Sequence, residues 1–287
     1  SQQGKLDVQP EQIYELTGWL WVEGEGNATL CVILYDAQNK AIDWNYGGQT
    51  VRAAEGWQQV RSRFLIPAHA ATIVPRLIGT GPAKVWLDDA VLKLAGSVRE
   101  MRTADLPAQL TVSNPVLEVT LRTGDGTLAV TDRRTQQTWR QRSDSPIIVL
   151  DAKPTERAIK LQLLEPSAML KMTATVELDS QRPELLVSLA ATGEIRNAIR
   201  FPGPFVTEKG TLLILPVNEG ISYPADDKTL PPMYYHTYGG HGLCMGWWGQ
   251  TDGRRGALAI VETPDDAGIR LPRVDGLLCL QPEWVPQ

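Results

Sequence analysis

Residues 14–24 read YELTGWLWVEG, and their alternation decides the fold. One set of alternate positions is apolar or glycine, and its members are Leu16, Gly18, Leu20 and Val22. The other set carries larger or polar side chains, those of Glu15, Thr17, Trp19 and Trp21. Successive side chains of a strand point to opposite faces, so this period of two predicts a strand with one face against a core.

Similar short extended segments surround this stretch up to about residue 96. They lie at 26–36, 56–67, 71–81 and 83–94, and Gly, Pro and Asn separate them. None of them shows a helical stripe. Spacing of this kind is typical of a β-sandwich, so residues 1–96 are predicted to form a first all-β domain.

A charged, aperiodic stretch at 97–108 is predicted to be a linker, and a second all-β region follows at 109–287. This region opens with two hairpins that turn at 122–126 and 132–137. Residues 168–179 have some helical propensity, but Thr173, Thr175 and Val176 favour a strand. The predicted fold class is therefore all-β, with two β-sandwich domains, the second larger than the first.

Length and charge exclude several classes of protein. The chain has 287 residues, more than one ordinary sandwich needs, which agrees with two domains. Its net charge is −5 and it has no basic stripe, so neither nucleic acid nor an anionic lipid surface is an expected partner. No apolar run reaches the roughly 18 residues of a membrane span. The chain begins at Ser1 without Met, from which we expect processing or truncation.

The three cysteines, Cys31, Cys244 and Cys279, are an odd number and form no CxxC motif. This pattern argues against a disulfide framework or a zinc knuckle. All three lie in apolar surroundings, which predicts buried free thiols. A bond between Cys244 and Cys279 is the open alternative.

Residues 8–24, 34–42, 55–67 and 81–92 together resemble the jelly-roll carbohydrate-binding modules of the calcium-containing β-sandwich group. The resemblance lies in a Pro-x-x-x-Tyr start to the strand at 10–14, Gly56-Trp57, and a closing Trp-x-Asp-Asp-x-x-Leu strand at 86–92. It implies a carbohydrate partner and a structural Ca²⁺ held by Asp88 or Asp89, since calcium prefers oxygen ligands. The alternative is that both aspartates only solvate the strand end. Such modules usually open with two further strands, so the jelly roll is either abbreviated or part of a longer protein.

Sugar binding requires aromatic faces for pyranose rings and polar groups for the hydroxyls. The candidates are Trp19, Trp21, Trp44 and Tyr46. We predict that Trp44 and Tyr46 lie in an exposed loop, whereas Trp57 is predicted to belong to the core. For Trp19 and Trp21 the alternative is packing against the next domain.

Residues 114–141, 214–227 and 256–267 are similar to the galactose-mutarotase-like super-β-sandwich that precedes the catalytic barrel of large glycoside hydrolases, including the endo-α-N-acetylgalactosaminidase type. The resemblance implies a secreted or periplasmic protein whose partner is a C-terminal catalytic domain or chain. The alternating strands and helices of a barrel are absent from the sequence. This chain alone is therefore expected to be non-catalytic.

The stretch 211–266 is rich in Tyr, His and Trp, and it supplies the remaining candidates for carbohydrate binding: Glu219, Tyr223, Asp226, His236 and Trp248. The alternative hypothesis is a complete lyase or mutarotase that uses His236 or His241 with Glu219 or Asp226. Hydrolysis would need two carboxylates facing one bond, and the simplest alternative is that these residues only form turns. A purely structural scaffold is the third possibility.

Overall fold

The computed structural model describes residues 4–102, 105–143, 147–192, 195, 198–237 and 242–284. Strands account for 59% of these described residues and helices for 3%, which confirms the all-β fold class. The chain divides into two units, residues 1–103 and 104–287. None of the helices among the described residues combines the length and apolarity that crossing a membrane requires.

The first unit is a sandwich of two antiparallel sheets with strand orders β1-β6-β3-β4 and β5-β2-β7. The strands are β1 (Leu6–Asp7), β2 (Gln12–Gly24), β3 (Asn27–Tyr35), β4 (Ala41–Arg52), β5 (Gln58–Leu65), β6 (Thr72–Thr80) and β7 (Ala83–Ser97). Their inward side chains form one hydrophobic cluster that includes Leu20, Leu34 and Ile73.

Strand β2 is the centre of its sheet, with β5 on one side and β7 on the other. Leu16, Leu20 and Val22 are buried in the core, whereas Trp19 faces outward. The predicted alternation is therefore confirmed. Glu15 is the exception on the outer face, because it is only 4% exposed.

Two local features of the first unit differ from the prediction. The DWNYGG segment at 43–48, predicted as a loop, lies within β4. Strand β7 continues to Ser97, and the short helix α1 (Val98–Met101) follows it, so the start of the predicted linker is ordered secondary structure.

The first half of the second unit has two four-stranded antiparallel sheets, with strand orders β11-β10-β9-β8 and β12-β13-β14-β15. The strands are β8 (Gln109–Ser113), β9 (Leu117–Arg122), β10 (Leu128–Asp132), β11 (Gln137–Arg140), β12 (Ile148–Pro154), β13 (Ala158–Glu165), β14 (Leu170–Leu178) and β15 (Leu185–Ala191). Both predicted hairpins are present, and β14 confirms the strand preferred over a helix at 168–179.

The second half of this unit contains sheets of order β17-β16-β19-β20 and β18-β21-β24, and a small β22-β23 ribbon. The strands are β16 (Leu212–Leu215), β17 (Ile221–Pro224), β18 (Met233–His236), β19 (Trp247–Thr251), β20 (Gly256–Ile260), β21 (Ala267–Leu271), β22 (Arg273–Val274), β23 (Leu277–Leu278) and β24 (Gln281–Trp284), and a 3-10 turn spans Pro264–Asp266.

Two separate hydrophobic clusters stabilise the described part of the second unit. One cluster joins the sheets of β8–β15, and its buried members include Leu121, Leu161 and Met172. The other joins the sheets formed by β16–β21 and β24, and it includes Leu213, Trp248 and Ile269.

All three cysteines are free, so no bond joins Cys244 to Cys279. Cys31 and Cys279 are buried, as predicted, but Cys244 is exposed. The prediction of three buried thiols is thus wrong for Cys244, which lies in the segment just before β19 rather than inside the sheet.

Candidate functional site

The outer face of the β5-β2-β7 sheet carries four rows of side chains, because residues directly opposite one another in antiparallel strands share a face. From one end to the other, the central members of the rows are Trp21, Trp19, Thr17 and Glu15 of β2. The neighbours of each row come from β5, or the residue just before it, and from β7. The side chains change from aromatic in the first row to charged in the last.

The first row consists of three tryptophans. The ring centroids of Trp21 and Trp86 are 5.2 Å apart, and those of Trp21 and Trp57 are 6.1 Å apart. Trp57 is 44% exposed and Trp86 is 40% exposed. Together with Trp19, these rings form what we call the tryptophan face. Exposed large apolar groups that cluster in this way mark a binding surface.

The second row places hydrogen-bonding groups beside an open ring. Trp19 is 38% exposed, and its cross-strand neighbours are Gln59 of β5 and Asp88 of β7. Both neighbours are exposed. An aromatic ring between an amide and a carboxylate offers an apolar surface flanked by groups that bind hydroxyls.

The last row, together with Arg61 from the Thr17 row, forms an ion network around Glu15. Its Oε2 accepts a hydrogen bond from Arg61 Nε at 2.7 Å and another from Arg63 Nε at 2.6 Å, and Lys93 Nζ lies 3.2 Å from Oε1. Burial alone would raise the pKa of Glu15, but the hydrogen bonds from the three cations outweigh it and lower the pKa to about 2. Glu15 is therefore ionised at neutral pH.

Two of the four tryptophans were not predicted as site residues. Trp57 was predicted to be in the core, but it is exposed because it precedes β5 and lies beside Trp21 on the outer face. Trp86 contributed only to the family resemblance. The signal that identifies both is strand pairing, since Trp86 is directly opposite Trp21 in the register of β2 and β7.

The proposed calcium ligands, Asp88 and Asp89, lie within the edge strand β7 rather than at its end. Asp88 Oδ1 accepts a hydrogen bond from the Asp89 amide at 2.9 Å. Among the described residues there is no group of three or more His, Cys, Asp or Glu side chains suited to a metal ion. Ca²⁺ takes six to eight oxygen ligands, so these two carboxylates do not form its site by themselves, and calcium stays a prediction.

Trp44 and Tyr46 lie in the other sheet of the sandwich, in β4. Trp44 is exposed, and the guanidinium carbon of Arg76 is 5.5 Å from its ring centroid. Tyr46 packs edge to face on Phe64, and its hydroxyl donates to the Leu65 carbonyl at 2.7 Å. Tyr46 is therefore half-buried and held by these contacts, and sugar binding by Tyr46 stays a prediction.

Two predicted binding residues of the second unit contact its second hydrophobic cluster. Trp248 is buried in this cluster. Tyr223 is half-buried against it, and its hydroxyl is 3.2 Å from that of Tyr235. Burial and this hydrogen bond raise the pKa of Tyr235 to about 12. Glycan binding by the exposed part of Tyr223 stays a prediction.

His236 lies on the outer face of the β18-β21-β24 sheet, since the preceding Tyr235 points into the core. Its ring meets Tyr234 edge to face, with centroids 5.0 Å apart. Burial and the charge of Glu283 raise the pKa of Tyr234. The carboxylate of Glu283 accepts a hydrogen bond from Arg270 Nη1 at 3.3 Å.

The predicted combination of His236 with Glu219 or Asp226 is not supported by this arrangement. Glu219 lies in the turn between β16 and β17, and Asp226 follows β17. Strand β17 belongs to the sheet on the other side of the core from β18. His241 lies outside the described residues.

A cavity of about 260 Å³ opens in the second unit, and Glu208 and Asp252 are among its lining residues, together with Trp139 and Arg255. The backbone amides of Arg255 and Arg254 donate to Asp252 and lower its pKa to about 2. Asp252 is thus ionised at neutral pH and is a poor general acid. The residues predicted from sequence do not line this cavity.

No protein-family model matches the chain, and no curated protein sequence matches it significantly. Similar solved structures exist. The ligand-free α-N-acetylgalactosaminidase of Bifidobacterium bifidum matches 62% of this chain and 33% of its own, with 12% identity and a TM-score of 0.47. The chain thus spans about a third of the length of that enzyme.

A second solved structure covers almost the whole chain. The N-terminal CBM22 tandem of Xyn10C from Paenibacillus barcinonensis matches 99% of this chain and 75% of its own, with 11% identity and a TM-score of 0.28. At these identities and TM-scores neither similarity indicates what this chain does.

Proposed function

We propose that this chain is the non-catalytic, carbohydrate-binding and accessory portion of a secreted or periplasmic glycoside hydrolase. The observation that carries the proposal is the tryptophan face, where three tryptophans form one row and a fourth lies between an amide and a carboxylate. The first unit is the binding module, and this face is its binding surface.

The chemistry of the face suits a glycan. The C–H groups of a pyranose ring pack on an aromatic ring, and Gln59 and Asp88 beside Trp19 would bind its hydroxyl groups. Because the outer surface of a sheet is open, an extended glycan segment suits this face better than an enclosed monosaccharide. The jelly-roll resemblance of residues 8–92 agrees with this assignment.

The second unit is proposed as the accessory sandwich, next to a catalytic domain or chain that supplies the hydrolytic carboxylates. The resemblance of residues 114–141 to the super-β-sandwich of large glycoside hydrolases supports this role. The position of His236 away from Glu219 and Asp226 agrees with it.

Binding assays on the full chain test the proposal. Affinity electrophoresis with soluble polysaccharides, followed by calorimetry with cellohexaose, xylohexaose and hexagalacturonate, should reveal a ligand. Trp19→Ala and Trp86→Ala should each lose about 1.4 kcal/mol of glycan-binding free energy, which raises Kd roughly tenfold. Trp44→Ala is the matched control, because this exposed tryptophan lies in the other sheet. Equal losses of glycan affinity in all three variants would contradict the proposal. So would an unmodified chain that binds no glycan.

A sugar-active enzyme is the second candidate, and the contact of His236 with Tyr234, beside Glu283, is the observation that favours it. Incubation of the chain with aryl glycosides and uronic polysaccharides distinguishes the two. Turnover that His236→Ala abolishes would establish an enzyme. Binding without turnover is expected from the accessory role.

A further inference from the structure

We propose that the glycan bound by the first unit is acidic, with its pyranose rings on the tryptophan face and its carboxylate or sulfate groups on the cations around Glu15. The inference rests on the proposed function and deepens it by naming the class of ligand. The basis is the positive charge left over at the Glu15 end of the same face.

The ion network is not balanced. One carboxylate, that of Glu15, contacts three cations, Arg61, Arg63 and Lys93. The group therefore carries a net charge of about +2 at neutral pH, from the ordinary charge states of these residues. The whole chain has a net charge of −5, so this local excess is opposite to the overall balance.

Two of these cations are accessible to a ligand. The side chain of Arg61 is 53% exposed and that of Lys93 is 61% exposed, whereas Arg63 is only 18% exposed. An ammonium has three N–H donors and a guanidinium has five, so contact with Glu15 leaves both groups donors for another anion. Arg63 holds Glu15 in place, and Arg61 and Lys93 present the excess charge.

The aromatic and cationic ends are aligned along one strand. Trp21 and Glu15 are six residues apart on β2, which is about 20 Å in an extended strand. Trp19 and Thr17 lie between them on the same outer face. One extended oligosaccharide can therefore contact both ends, with rings on Trp21 and Trp19 and an acidic group near Arg61 or Lys93.

A purely structural role for the network makes a different prediction. A network that only joined β2 to β5 and β7 would need one cation from each neighbouring strand, and Arg63 with Lys93 would supply them. Arg61 is a further cation, and its repulsion of the other two lowers stability unless an anion relieves it. A bound carboxylate or sulfate group would supply that anion.

Calorimetry on the full chain with three hexasaccharides tests the inference: cellohexaose, which is neutral, hexagalacturonate, which has carboxylates, and a chondroitin sulfate hexasaccharide, which also has sulfates. We expect at least one acidic probe to bind about tenfold more tightly than cellohexaose, which is a difference of roughly 1.4 kcal/mol in binding free energy. This preference should disappear between about 0.1 M and about 1 M salt, as the Debye length falls from about 10 Å to about 3 Å. Which acidic probe binds distinguishes carboxylate from sulfate recognition.

The variant Arg61→Gln/Lys93→Gln should lose the preference for acidic probes and keep its affinity for the neutral one. Lys160→Gln/Lys171→Gln, which removes two exposed lysines of β13 and β14 in the second unit, is the charge-matched control and should change neither the preference for acidic probes nor the affinity for the neutral one. Should the Arg61→Gln/Lys93→Gln variant fail to fold, the salt dependence of the wild type decides the question.

The two proposals fail in distinguishable ways. Binding of cellohexaose as tight as that of the acidic probes refutes acidic specificity and leaves the carbohydrate-binding role intact. Acidic binding that survives Trp21→Ala refutes a shared site along β2. Absence of binding to every glycan refutes the proposed function itself.

Discussion

Replacement of Glu15 by glutamine tests the energetics of the outer face most directly. Glu15 is buried between three cations, and its pKa is lowered from 4.5 to about 2. Because the folded-state pKa lies below the unfolded value, the stabilisation is fully present above about pH 4.5 and is lost as the pH falls towards 2. A change in the pKa of Glu15 from 4.5 to about 2 corresponds to a contribution of about 3 kcal/mol to the free energy of unfolding.

We therefore expect Glu15→Gln to lower the free energy of unfolding of the first unit by about 3 kcal/mol at pH 7, since an amide cannot neutralise the facing cations. At pH 2 much of this difference should disappear, because Glu15 is then about half protonated in the folded state and fully protonated in the unfolded state. The measurement is urea denaturation of the full chain at both pH values, followed by hydrogen exchange in peptides that cover β2.

Glu23→Gln is the matched control, because Glu23 is an exposed carboxylate on the same strand. It should leave the urea midpoint unchanged at pH 7. Two results would refute the reasoning: a Glu15→Gln protein as stable as the wild type at pH 7, or a difference between them that is the same at pH 2 as at pH 7.

Three further predictions concern stability and access. Cleavage within 97–108 should yield two pieces with strand-type circular dichroism, since each unit has its own core; two unfolded pieces would contradict the boundary. Gly268→Ala places a methyl group against the Tyr234 ring and should lower the free energy of unfolding in urea by about 1–3 kcal/mol, whereas Gly124→Ala, where the space is open, should not. A thiol reagent should label Cys244 rapidly in the native protein and the other two thiols only after unfolding; rapid labelling of all three would show that the core is open.

Much of the fold follows from the sequence because strand formation shows in local periodicity. The alternation at 14–24 is enough to predict β2 and its buried face, and Thr173 and Val176 are enough to favour a strand for β14. The turn residues at 122–126 likewise predict the hairpin of β9 and β10. These signals all lie within a few residues of the element they predict.

The candidate site was only partly predictable. The sequence identifies Trp19 and Trp21, which alternate with a core face, but it predicts Trp57 in the core and gives no local signal that Trp86 joins them. Tyr46, Tyr223 and Trp248 were predicted to bind a sugar, yet the structure packs each of them against a core. Exposure of an aromatic residue depends on what other segments place over it, and a single stretch of sequence does not contain that information.

The sequence by itself determined that this protein is built of strands and which face of β2 is buried. Only the tertiary structure decided that Trp57 and Trp86 join Trp21, and that Glu15 meets Arg61 and Lys93. The physical reason is that side-chain alternation is a property of one strand, whereas cross-strand neighbours depend on the pairing register of strands that are far apart in the chain.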